Sequence, residues 1–247
     1  MGNKVINTTS VKLQMYETST DSQLAGMLGD VKEFEDGRKF RLCQNSTAGV
    51  LAPGYFVQAK IDTAYTDVLV VATTVAAGAT SLSVTVDASH ANLSVNDLKD
   101  GYLCVSAGEG ELGHSRKIKE NTAADAGENT TITFYDALTD SITTTSTVAW
   151  VYPIYKNVIA NVISAKPIGV TVCDVAASTS TVPVFFWAQV AGPCAVLITG
   201  TATRGNPAVT VTGGGVKNGS AVTDATVGVF MQSQATGLIG WVNLNLE

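Results

Sequence analysis

Charge is what this sequence runs short of, and it runs short at one end. Of its 15 basic and 21 acidic residues, only seven lie beyond residue 140: Lys156, Lys166, Asp174, Arg204, Lys217, Asp224 and Glu247. A soluble domain is ordinarily about one-quarter charged, and this stretch of Thr, Ser, Ala, Gly and Asn falls far below that. Desolvating an unpaired charge is expensive, so interface cores are depleted of charge. A polar but neutral surface therefore suits contact with other protein. The same neutrality also fits a β-domain that needs no partner.

Other absences narrow the function further. The longest uncharged run before the C-terminal half, Val68 to Val86, is broken by Thr, Gly and Ser and alternates at its end, so no membrane helix is expected. A clustered basic face is missing too. The net charge is −6, and Arg38, Lys39 and Arg41 stand beside Glu33, Glu35 and Asp36, which argues against a nucleic-acid partner. Cys43, Cys104, Cys173 and Cys194 are widely spaced in apolar runs, with no CxxC pair and no Cys/His cluster, and read as reduced small hydrophobes. Met1 to Ser10 has neither an apolar core nor a small-residue cleavage site, so no secretory leader is expected. The sequons at Asn7, Asn45, Asn92, Asn129 and Asn218 then follow from Thr/Ser-rich composition.

What is present is β-structure. Short runs of alternating or β-branched residues recur from Lys39–Cys43 to Leu238–Leu246, separated by clusters such as Ala52-Pro53-Gly54, Ala191-Gly192-Pro193 and Gly213-Gly214-Gly215. Many short strands at that spacing predict an all-β chain of sandwich or barrel-like domains. Only one segment favours helix: a short turn capped by Thr20 or Asp21 and running through Leu24, Met27 and Leu28, with Val31 and Phe34 following at helical spacing. The expected organisation is an extended arm over 1–36 carrying that short helix, a first β-domain over 37–155 and a charge-poor second one over 156–247. The boundary between them leaves open that one is inserted in the other.

Few motifs carry chemistry. Gly108-Glu109-Gly110-Glu111-Leu112-Gly113 has GxGxxG spacing and follows a predicted strand. A dinucleotide site needs a helix next; His114 to Lys119 alternates like a strand, and Glu109 and Glu111 would repel phosphate. A β-turn is the better reading. Gly200 to Gly205 has P-loop glycine spacing, but Asn206-Pro207 stands where Lys-Ser/Thr is required. His114 beside Glu109 and Glu111 makes a poor closed metal site, since the only other histidine is His90. Ser115 adjoins His114, and neighbours in a strand point to opposite faces. Asp62 with Asp67, or Asp136 with Asp140, are possible paired carboxylates of a glycoside hydrolase, though turn-forming acids are the common case. No catalytic, cofactor-binding or metal residue is expected. Phe185-Phe186-Trp187 makes both faces of one strand apolar, which fits a central core strand or a strand covered by a neighbouring subunit.

Several stretches together resemble the head-decoration (capsid cement) proteins of tailed bacteriophages. They are Asp36-Gly37-Arg38-Lys39-Phe40-Arg41, Leu51-Ala52-Pro53-Gly54, Gly108-Glu109-Gly110 with His114, Pro167-Ile168-Gly169-Val170, Trp187 followed by Gly192-Pro193, and Val227-Gly228-Val229-Phe230. The resemblance runs from about residue 36 to the end, in the right order, and leaves the arm uncovered. It implies a non-enzymatic virion protein on the capsid exterior, made in the host cytoplasm. Such a protein adds to the assembled shell, often as a homotrimer, and clamps neighbouring copies of the major capsid protein. The GEG-H segment would be a hairpin tip, and no catalytic residue carries over. The contacts expected on this reading are Met15, Leu24, Met27 and Leu28 in the arm, and Phe186, Trp187 and Trp241 in the charge-poor half. A reading of another class is a carbohydrate-binding head fibre or receptor binder, with Tyr65, Trp150 or Trp241 stacking on sugar rings.

Overall fold

A computed structural model describes residues 5–8 (as backbone), 13–21, 26–59, 69–90, 92–161, 167–219 and 226–247. The chain is all-β with two β-domains. In chain order the strands are β1 (Val5–Thr8), β2 (Val31–Phe34), β3 (Lys39–Gln44), β4 (Phe56–Gln58), β5 (Leu69–Val71), β6 (Ser81–Thr85), β7 (Tyr102–Ala107), β8 (Ser115–Asn121), β9 (Asn129–Phe134) and β10 (Thr147–Val151). There follow β11 (Ile159–Ala160), β12 (Gly169–Thr171), β13 (Phe185–Leu197), β14 (Pro207–Thr210), β15 (Val216–Asn218), β16 (Thr226–Phe230) and β17 (Ile239–Asn245).

The first domain is discontinuous. It comprises residues 1–60 and 154–247, while residues 61–153 form the second as an insertion. This corrects the division into 1–36, 37–155 and 156–247. The seam near residue 153 stands, but β3 pairs with β13 from Phe185↔Gln44 to Ala191↔Lys39, so residues 37–60 belong with the C-terminal half. The arm is not separate either, since β2 pairs with β3 and β1 with β2.

The inserted domain is a closed barrel in the order β10-β5-β6-β9-β8-β7, with β7 returning to β10. Alternation builds most of it, broken in β8 by a register shift between Ile118 and Glu120. In β6, Leu82 and Val84 point inward while Ser81, Ser83 and Thr85 are partly exposed. The inward set includes Leu103, Val105, Ile118, Ile132, Phe134, Val148 and Trp150.

The discontinuous domain is organised around β13, which forks. Its first half has β3 on one edge and β12 on the other; its second half gains β17, followed by β16, β14 and β15. From Phe185 to Val190 every residue is buried, and only beyond that does burial alternate. Phe186 and Ala188 pack with Cys43, Val57 and Val175 on one face. Phe185 and Trp187 pack with Leu13, Phe34, Phe40 and Leu42 on the other. Cys194 and Val196 then enter a third cluster with Phe56, Val170 and Phe230.

Ala191-Gly192-Pro193, expected as a turn, lies inside this strand. Gly192 has φ +80°, and a Cβ there would meet the Gly37 carbonyl oxygen at 3.0 Å and Arg38 Cα at 3.1 Å. The proline is tolerated because β3 pairing ends at Ala191. The Leu197 N–H, on the same edge as the missing Pro193 N–H, donates to Gly54 rather than to β17.

No helix occurs among the described residues. The expected one falls partly on residues 22–25, including Leu24, which lie outside them. What flanks that stretch is not helical: the Asp30 N–H donates to the Met27 carbonyl in a turn, and Val31 and Phe34 sit in β2.

A neutral sheet face and the arm beside it

Strands β13, β16 and β17 contain not one charged residue. Their alternation divides two faces. Val242 and Leu244 of β17 point into the core, and Ile239, Trp241, Asn243 and Asn245 point out. Register brings Ala195 opposite Trp241, Leu197 opposite Ile239, and Val229 opposite Asn243. Met231 adds its N–H to the Trp241 carbonyl. An antiparallel sheet with one solvated face normally presents polar side chains there. Here Ile239, Trp241, Val229 and Met231 are each between 45% and 49% exposed. With Asn243 and Asn245 they form one uncharged surface that is apolar around Trp241.

The arm marks one border of that surface. Ser19 pairs with Phe185 through two backbone hydrogen bonds, at 3.0 and 2.7 Å. The Leu13 carbonyl accepts from Trp187 Nε1 at 3.2 Å and also from Lys32 Nζ. That ammonium lies 4.4 Å from the Trp187 ring centre, and burial pulls its pKa down despite the Glu17 charge. Two buried donors on one carbonyl fix the arm over the first half of β13. Beyond Leu13 the chain turns outward at Tyr16, which is 59% exposed. Between Tyr16 and Trp241 lies a cleft of about 170 Å³, walled by Arg38, Pro193, Ala195 and Ile239. Arg38 donates from Nε to Asp36 at 2.7 Å and from Nη1 to the Tyr16 hydroxyl at 3.4 Å.

These positions sort the expected contact residues. Trp241 and Met27 are exposed. Met15 and Leu28 are half-buried against the Trp187 cluster. Phe186 and Trp187 are fully buried and cannot touch a partner: the strand is covered on both faces by its own domain, including the arm. Leu24 lies outside the described residues. Ile239, Val229, Met231 and Tyr16 are further members that the sequence reading did not contain; the alternation of Ile239-Gly240-Trp241-Val242 is the signal that could have found the first of them.

The chemical motifs resolve into structure. Residues 108–113 form a turn after β7, and the following residues are β8, as the alternation required. Gly110 has φ +76°, and a Cβ there would run into the Ser141 carbonyl, so close backbone approach explains that glycine. Glu111 is buried and faces inward. It accepts from Arg116 Nη2 at 2.6 Å and Nε at 2.9 Å, from the Thr139 hydroxyl at 2.9 Å and from the Thr139 N–H. Burial alone would raise its pKa; the guanidinium and the Thr139 and Asp140 donors outweigh that and hold it at about 2.

His114 is exposed, whereas His90 is buried edge-on to Trp150, with ring centres 5.8 Å apart. Asp136 and Asp140 are exposed, and Asp62 and Asp67 lie outside the described residues. The four thiols are free; burial raises that of Cys43 and pushes Cys194 up to about 12, so neither is a ready nucleophile. No group of three or more His, Cys, Asp or Glu with metal-binding geometry occurs among the described residues. No helix of the described residues is long and apolar enough to cross a membrane.

At the chain's end, Glu247 accepts from Arg41 Nη2 at 2.6 Å and from the Tyr155 hydroxyl at 3.0 Å. Burial opposes its ionisation, but these donors hold its pKa below the usual carboxylate range. No family model, no curated protein and no solved structure matches this chain.

Proposed function

We propose that this chain is a non-enzymatic structural protein of a tailed-phage virion. It decorates the exterior of the assembled capsid and stabilises it, as a homotrimer that clamps neighbouring major capsid proteins. The observation that carries this reading is the neutral, apolar outward face of β13, β17 and β16. Monomeric proteins rarely leave apolar patches larger than several hundred Å² in contact with water, and four large side chains stand together here. A face free of charge sheds its water without stranding an ion. The resemblance of residues 36–247 to head-decoration proteins supplies the kind of partner. Three copies related by closed symmetry would present three such faces, so modest contacts combine through multivalency.

One observation favours the alternative of a carbohydrate-binding head fibre or receptor binder: the exposed rings of Trp241 and Tyr16 flank one cleft. Of the other two aromatics proposed for sugar stacking, Trp150 is buried, and Tyr65 lies outside the described residues.

Co-sedimentation with assembled heads lacking the chain, with the solution mass measured by light scattering, tests the reading. Saturable binding and a trimeric mass, free or bound, are expected. Binding only to free capsid subunits and never to assembled shells would defeat it.

A further inference from the structure

Resting on the shell-binding reading, we propose that the cleft between Tyr16 and Trp241 receives an extended, uncharged segment of the partner protein. That segment inserts one ring-sized apolar side chain and presents a main-chain carbonyl to Arg38. Size sets the first limit. Drug-sized ligands occupy roughly 300–1,000 Å³, and a cleft of about 170 Å³ holds a single proline or leucine side chain.

The polar inventory sets the second. Gln189 also lines the cleft, but its Nε2 already donates to the Ala191 and Pro193 carbonyls at 3.0 and 2.8 Å. The Thr171 hydroxyl is spent on Ala52 and Tyr55. A sugar ring needs hydrogen bonds for several hydroxyls, and neither Gln189 Nε2 nor the Thr171 hydroxyl is available to give one. An apolar side chain needs none.

Arg38 sets the third. With Nε on Asp36 and Nη1 on Tyr16, its Nη2 has no partner among the described residues. The Asp36 carboxylate 2.7 Å away offsets the guanidinium charge, leaving a fixed donor rather than a net cation. A peptide carbonyl suits that donor. A charged segment would give up its hydration against neutral walls for little return. Trp, Tyr and Arg are also the residue types most enriched at binding hot spots, and here they wall one cleft at the edge of the larger apolar face.

Hydroxyl-radical footprinting with mass spectrometry reads side-chain exposure in this chain alone, even on a whole head. The test applies it to the wild-type chain free and bound to assembled heads lacking it, beside binding isotherms for Trp241→Ala and Tyr16→Ala. On heads, Trp241 and Tyr16 should lose most of their reactivity. Trp241→Ala should bind about thirty-fold more weakly and Tyr16→Ala about tenfold, the scale of hot-spot truncation. Saturable binding with Trp241 as reactive as in the free chain, and Trp241→Ala at wild-type affinity, would overturn the inference and leave the shell-binding reading standing. No binding of the wild type to heads would overturn both. Protection of Trp241 by a soluble polysaccharide panel, and not by heads, would overturn the inference in favour of a sugar platform.

Discussion

The inserted barrel and the discontinuous domain are both all-β, yet they differ in how their strands pair and in the apolar side chains that one sheet turns to water. The barrel closes through β7 and β10, leaving no free edge in its ring, and a single strand, β8, carries Arg116, Lys117, Lys119 and Glu120. The forked sheet is not a ring of paired strands, although residues 198–201 bond the outer edge of β15. Its strand order ends at β1, with a branch ending at β11, and eight of its eleven strands carry no charge at all. Closure and surface charge let a β-domain stand alone. A neutral sheet face with exposed apolar side chains leaves a surface unfinished, and the proposed reading places the partner there.

The contrast breaks most visibly at Trp187. Truncation to alanine removes the largest fully buried side chain, the ring over Lys32 and one of two donors holding the arm. A loss of about 4 kcal/mol is expected, the range for buried Trp or Phe. Thermal unfolding followed domain by domain should show the sheet destabilised and the barrel melting as before.

Next is Glu111→Ala, which strands a largely buried Arg116 in the barrel; breaking such a pair costs about 3 kcal/mol. Hydrogen exchange should report that loss in residues 61–153 alone. The same pair predicts acid behaviour. Because folding depresses the Glu111 pKa to about 2 from an ordinary 4.5, its stabilisation is complete above about pH 4.5 and is lost as pH falls towards 2. Glu111→Gln should flatten that limb of the barrel's pH–stability curve.

A smaller effect is expected at the partly exposed Arg41–Glu247 pair. Glu247→Gln should cost no more than about 1 kcal/mol, with the difference shrinking at high salt. Smallest of all is Trp241→Ala, which should leave the melting free energy within about 0.5 kcal/mol because the ring already stands half in water. A large loss there would mean that the outer face completes the fold rather than awaiting a partner.

Most strands were legible because alternation marks them, and the neutrality of the later half showed in plain composition. What escaped was whatever depends on distant pairing. In Val31-Lys32-Glu33-Phe34 the inward positions are Lys32 and Phe34. A buried lysine spoils the period-two signal, while Met27, Val31 and Phe34 imitate a helix. An insertion was open in the sequence, but only the β3–β13 ladder reveals that residues 37–60 belong with the C-terminal half. Phe186 and Trp187 were expected at an interface because a strand buried by its own arm reads like one buried by a neighbour. Trp241 is exposed, as the contact reading expected, but the cleft beside it depends on Tyr16, brought there by contacts that no local pattern records.

The most direct test is cryo-electron microscopy of heads saturated with the chain. The account predicts density in which the outward face of β13, β17 and β16, with Trp241 near its centre, lies against the shell. Bound copies that hold that face open to solvent and touch the capsid through the barrel instead would contradict it.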